Sequence, residues 1–190
     1  MKKFYILSLF LAGAVLSAAP WSANGDFKQL DTEAMSARQK KSMESRGIVF
    51  SGEQTPAKWS FACYGRKAQS LSVVFKAGVL EVKTQKDTLT LHNLRLLSVE
   101  KFKSVGTHRF YASGKGNMLV KCSLLQYDKA GKYVGSVNLG AFHLNSGKTS
   151  AEITVDASKV KFSEKAAKAA ATFGLVGEGV LTGLGVEIKK

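Results

Sequence analysis

Seven side chains have the type and spacing to build a ligand-binding face. Arg109, Tyr111 and Ser113 alternate with Phe110 and Ala112, and Lys121 and Ser123 alternate with Val120, Cys122 and Leu124. In an extended strand, successive side chains point to opposite faces of the sheet. The apolar set Met118, Val120, Cys122 and Leu124 therefore goes to a core, and Lys121 and Ser123 face outward. Thr172 stands outward in the same way between Ala171 and Phe173. With these strands in one sheet, Arg109, Tyr111, Lys121, Ser123 and Thr172 form a polar face that carries an aromatic. A flat ring beside hydrogen-bonding groups suits a polyhydroxylated ligand, because the ring covers C–H surface while its neighbours bond the hydroxyls. The same pattern also describes an ordinary solvated sheet face. Two further aromatics complete the candidates. Trp59 shares parity with Phe61 and Cys63 and reads as core or as a platform. Tyr64 has the opposite parity and reads as exposed. Tyr127 and Tyr133 flank a turn and read as a cross-strand pair.

Catalytic chemistry has no comparable set. Most acids fall in turns or in a polar leader, and Glu81, Glu100, Glu152, Glu178 and Glu187 show no context that pairs them. Glycoside hydrolysis needs two carboxylates across a cleft. No nucleophile elbow, zinc-protease helix or phosphate loop occurs. His92, His108 and His143 are widely separated, and with Cys63 and Cys122 they give no metal-ligand spacing. The expectation is a non-enzyme without cofactor or metal. Cys63 and Cys122 are candidates for a disulfide in an oxidising compartment, or for two buried thiols.

That compartment is expected from the first residues. Lys2 and Lys3 precede an apolar run from Phe4 to Leu16, and Ser17, Ala18 and Ala19 follow. The order is that of a secretory signal peptide, here residues 1–19, with Ala18 and Ala23 as other cleavage points. The run is too short for a membrane span. The chain carries 28 Lys and Arg against 14 Asp and Glu, a net charge of +14. On an exported chain such a charge points away from nucleic acid and toward anionic glycans, lipid headgroups or sulfated polymers. A solvated, lysine-rich surface is the alternative.

The elements that must position these residues are mostly strands. Residues 20–58 read as a polar leader, partly helical over Asp31 to Arg46, with a loop around Pro56. From Trp59 the segments WSFACYG, SLSVVFKAGVLEVKTQ, TLTLHNLRLLSVEKF and HRFYASGKGN read as strands, the second folded at Ala77-Gly78 and the last ending in a glycine turn. MLVKCSLLQYDKAGKYVGSVNLG reads as a hairpin whose Asp128-Lys129-Ala130-Gly131 turn closes on a left-handed glycine. SAEITVDAS is another strand, Glu164 to Lys168 a helical turn, and the last segment two strands around Gly177-Glu178-Gly179. Many short strands with polar turns predict an all-β chain, a β-sandwich over residues 59–190 with two sheets around a shared core.

Several of these turns have a familiar form. Tyr127-Asp128, Gly131-Lys132-Tyr133 and Val155-Asp156 lie where carbohydrate-binding modules of the galactose-binding-like jelly-roll group, especially families 4 and 9, carry similar pairs. The stretch from Trp59 to Ile188 resembles such a module. The final element, Leu181-Thr182-Gly183-Leu184-Gly185-Val186, lacks the usual aspartates, so no structural calcium is carried over. The resemblance implies a jelly-roll that binds a polysaccharide or glycan without catalysis, secreted or periplasmic. The rival expectation is an envelope or assembly subunit that binds another protein, with the leader from Trp21 to Gly52 as its docking segment.

Overall fold

The computed structural model describes residues 21–22, 25–29, 41, 48–51, 56–64, 71–76, 78–84 and 88–189, with the backbone alone for 48–51 and 61–64. The expected signal peptide and nearly all of the expected leader helix lie outside these residues. Strands dominate: β1 (Ile48–Ser51), β2 (Trp59–Tyr64), β3 (Leu71–Lys76), β4 (Val79–Lys83), β5 (Thr88–Asn93), β6 (Leu97–Ser98), β7 (Thr107–Tyr127), β8 (Tyr133–Leu144), β9 (Ser150–Asp156) and β10 (Lys168–Lys189). A short helix α1 (Val99–Ser104) follows β6, and a 3-10 turn follows β9.

The all-β sandwich expected from the alternation is present, but it is made by curling one hydrogen-bonded sheet rather than by stacking two. Its axis is an antiparallel ribbon of β7 and β10, paired from Tyr127 opposite Lys168 to Thr107 opposite Lys189. On the β10 side the ribbon adds β6, then β5 with β2 beyond it, then β4 with β3 and a parallel β1. On the β7 side, β8 pairs with its second half and β9 with its first. The two halves of the ribbon face each other across the core. Phe110 of one half meets Phe173 of the other at 6.0 Å between ring centroids, and Trp59 and Phe27 extend the stack at 6.0 and 5.9 Å.

Glycines make the bend. The sequence reading placed a turn at Gly114 and Gly116 and split β10 at Gly177-Glu178-Gly179. Both strands instead run through. Gly116 lies opposite Gly179, and Leu181 lies opposite Gly114. Gly114 and Gly116 have φ of +144° and +150°, a region that side chains avoid. A Cβ on Gly116 would collide with the carbonyl of Glu178 and stand 2.5 Å from the Cα of Gly179. The buried positions remain even-numbered on both sides of the bend, Phe110 and Ala112 before it, Met118, Val120, Cys122 and Leu124 after it. The ribbon thus turns a corner without exchanging its faces.

Other departures have local causes. Val99–Ser104 is a helix rather than a strand, because the Ser98 hydroxyl accepts from the Lys101 backbone N–H at 3.2 Å and Val99 and Phe102 supply a buried face. Glu164 to Lys168 forms only a turn, and Lys168 already opens β10. The hairpin turn is as expected, with Gly131 at φ +84° and its N–H bonded to Asp128 at 3.1 Å. The fold also begins earlier than residue 59. Trp21 and Phe27 are buried, and Trp21 and Ser22 bond to Val186 while Leu184 bonds to Gly25. The front of the expected docking segment is therefore spent on the protein's own core.

Cys122 is a free, buried thiol, pushed up to about 12 by burial, so the candidate disulfide is not formed. The register explains this: β5 and β10 separate β2, which carries Cys63, from β7. His108 is also buried. It stacks on Phe102 at 3.8 Å, bonds the Phe102 carbonyl through Nε2 at 2.8 Å, and burial holds its pKa below the usual 6.5 despite that bond.

Gly116→Ala should cost about 3 kcal/mol or more, because strain and collision add. Gly131→Ala, with φ +84° but nothing within 4 Å of its Cβ, should cost about 1 kcal/mol. Urea titrations of the two variants measure the contrast. Burial also lowers the pKa of His92. Both imidazoles are thus held neutral in the fold, while the unfolded chain takes up protons first. Stability should be level above the usual pKa of 6.5 and fall as the pH drops below it. Urea midpoints should record that fall, and His108→Gln should make it shallower.

Candidate functional site

The outward face of the ribbon divides at the bend, and with it the predicted site. Arg109 and Tyr111 lie before the corner and pair with β9. Lys121 and Ser123 lie after it and pair with β8, while Thr172 pairs with Ser123 from β10. The expected single polar face is therefore two separate places.

In the first place, Arg109 is bound by two carboxylates, Glu152 and, at 2.8 Å, Glu187. Burial opposes its charge, but the bonds to Glu152 and Glu187 outweigh that and raise its pKa. The guanidinium lies over the Tyr111 ring, 5.1 Å from the centroid. Gly185 makes room on the other flank: a Cβ there would stand 3.1 Å from the Tyr111 hydroxyl and 3.3 Å from its ring. Burial, followed by the charge of Glu187, raises the tyrosine's pKa. Tyr111 is a packed residue whose ring is already covered, not an open platform.

The second place is a row across five strands: Asn138, Ser123, Thr172, His92 and Ser60. Parity assigned Thr172 to the right face, yet it is only 4% exposed and shares a 3.0 Å hydrogen bond with His92. Ser123 is half-buried, and Lys121 is exposed. Trp59 is 3% exposed and belongs to the core, which settles its two readings. Tyr64 pairs with Thr88 at the end of β2, and its side chain lies outside the described residues.

An open groove lies at the bend itself, and the sequence reading missed it. Its volume is about 510 Å³. Two rows of outward side chains cross four strands there. Ser72, Lys83, Glu178 and Asn117 make one, and Val74, Glu81, Val180 and Lys115 the other. Ser146, from the loop after β8, closes one side. Lys83 meets Glu178 at 3.7 Å and Glu81 meets Lys76 at 3.0 Å, whereas Lys115 has no ion-pair partner among the described residues. At the bend Gly116 and Gly179, paired with each other, line this groove between the two rows. The alternation in LSVVFK and VLEVK already marked Ser72, Val74, Glu81 and Lys83 as outward. What one strand's pattern lacks is the register that aligns them with Asn117 and Lys115.

The groove offers hydroxyl, amide, carboxylate and ammonium groups beside three valines, and no aromatic lines it. Its chemistry is hydrogen bonding and charge, without ring stacking. Among the described residues, no group of three His, Cys, Asp or Glu is placed to hold a metal ion, and no helix is long and apolar enough to cross a membrane.

No protein-family model and no curated protein matches the chain. Solved structures do. The enzymatically active domain of tailspike protein 4 from bacteriophage CBA120 is similar over 90% of this chain and 21% of its own, at 13% identity and a TM-score of 0.43. The chain thus spans about a fifth of that protein's length. A xylan-binding domain from Paenibacillus barcinonensis is similar over 68% of this chain and 88% of its own, at 10% identity and a TM-score of 0.32. A family 22 carbohydrate-binding module of Clostridium thermocellum gives 69% and 88%, 11% identity and 0.29. Both modules are of family 22, whereas the turn motifs resemble families 4 and 9. At these TM-scores the likenesses carry no argument about what this chain binds.

Proposed function

We propose that this chain is an exported, non-catalytic carbohydrate-binding β-sandwich whose glycan lies in the groove at the ribbon bend. The observation that carries the reading is the pair of polar rows, Ser72–Lys83–Glu178–Asn117 and Val74–Glu81–Val180–Lys115, along an open trough of about 510 Å³. Closely spaced donors and acceptors around exposed aliphatic surface match a sugar ring, which presents hydroxyls at its rim and C–H groups on its faces. Val180, 41% exposed, is the most exposed of the trough's valines.

Charge sharpens the ligand class. Lys83 and Glu81 are engaged with carboxylate and ammonium partners, and Lys115 is the cation left to an incoming acid. With a net charge of +14 on the whole chain, an acidic glycan is favoured over a neutral one. Binding by hydrogen bonds and one charge, without an aromatic anchor, should be modest in strength and salt-sensitive.

A glycan array on the signal-free protein, followed by titration of the best ligand, tests this. Lys115→Ala should weaken an acidic glycan about tenfold, the loss of one charge-assisted hydrogen bond. Asn117→Ala should weaken neutral and acidic glycans alike. Tyr111→Ala should leave affinity unchanged and lower the unfolding midpoint, because its ring is packed under Arg109. Affinity that ignores Lys115 and Asn117 but falls with Tyr111 would return the site to the first place.

A further inference from the structure

Four large apolar side chains are exposed among the described residues: Leu94, Leu96, Tyr133 and Val180. Val180 belongs to the groove. The other three lie toward the end of the ribbon where Tyr127 pairs with Lys168. Ser98, Lys168, Tyr127 and Tyr133 form one row across β6, β10, β7 and β8. The Leu94-Arg95-Leu96 loop enters β6 just ahead of Ser98. Sheet spacing makes the row about 14 Å wide, with the leucine loop entering at its β6 end and Tyr133 at its β8 end.

The loop is held rather than free. The Leu94 N–H donates to the Lys58 carbonyl at 2.8 Å, and the Arg95 N–H donates to Asn93 Oδ1 at 3.2 Å, with Asn93 itself buried. Fixed in this way, Leu94 and Leu96 stand 56% and 45% exposed on either side of Arg95. Tyr133 is 54% exposed and meets Tyr127 edge-on at 6.2 Å. Exposed cations surround them: Lys58, Arg95, Lys129, Lys132 and Lys168. Among the described residues, the acids near this end are Asp128, Glu100 and Glu164, and Asp128 is turned into the hairpin, where it accepts from the Lys132 backbone N–H at 2.9 Å.

We propose that this end of the molecule docks on an anionic lipid bilayer. Leu94, Leu96 and Tyr133 enter the interfacial layer, and Arg95, Lys58 and Lys168 meet headgroup phosphates. The pairing of aliphatic tips with a ring of cations decides the partner. A polysaccharide offers no apolar phase for two leucines, whereas a bilayer offers that phase directly beneath negative charge. A tyrosine with an apolar ring and a polar tip suits the same boundary. Two leucines and one tyrosine make a small apolar surface, so the patch anchors reversibly and does not span.

Co-sedimentation of the full signal-free chain with vesicles tests the assignment. One set is phosphatidylcholine alone, the other phosphatidylcholine mixed with phosphatidylglycerol. The expected result is binding to the mixed vesicles only. Leu94→Ser with Leu96→Ser should reduce partitioning about tenfold or more, with an unchanged unfolding midpoint because both positions are exposed. Lys115→Ala should bind vesicles as the parent does, which separates this result from the fate of the groove. No binding to mixed vesicles would overturn the proposal. So would binding that ignores the leucine substitutions, which is charge attraction alone. A leucine-dependent self-association in place of vesicle binding, read by light scattering, would reassign the patch to a second copy of the chain.

Discussion

Everything in this molecule depends on the contact of bare backbone with bare backbone where β7 and β10 bend together. Gly116 faces Gly179, and Gly114 and Gly177 fit against the partner strand's main chain on either side. With side chains there, the two strands could stay paired only by running straight. A straight ribbon of this length would place Phe110 and Phe173 on a flat surface in water. Bent, it brings them to 6.0 Å and closes a core between its own two halves. The bend therefore converts a local steric permission into burial of the apolar faces on both halves of the ribbon.

The same bend sets the chemistry. It divides the outward face, so Arg109 and Tyr111 are committed to Glu152, Glu187 and Gly185, far along the ribbon from Lys121 and Ser123. It also opens a trough whose lining comes from four strands that no short sequence motif connects. A structural device and a candidate binding site thus share one cause. The ends of the ribbon are left for other work, the buried end under Trp21 and His108, the exposed end carrying Leu94, Leu96 and Tyr133.

Alternation made much of this legible in advance. It identified Met118, Val120, Cys122 and Leu124 as core and Lys121 as exposed, and the Asp128–Gly131 turn followed from its residue types. Two kinds of information were missing. Glycine between strands has the same appearance whether it ends them or bends them, so SGKGN and GEG read as turns. Only the partner strand decides, because the glycine is required by what it touches. Parity also says which face a residue takes and not what covers it. Thr172 and Tyr111 sit on the expected face and are covered there, by neighbours from β5 and by Arg109. Trp21 and Phe27 were hidden for a related reason: single aromatics in a polar stretch carry no period, so their place in the core cannot be read from pattern.

One bent ribbon holds both halves of the sandwich as a single unit. Native-state amide hydrogen exchange across β7 tests it most directly. The amides of Phe110 and Ala112, before the bend, and of Val120 and Leu124, after it, should open with one common free energy equal to that of global unfolding. Two distinct opening energies, with one half of β7 exchanging while the other stays protected, would contradict it.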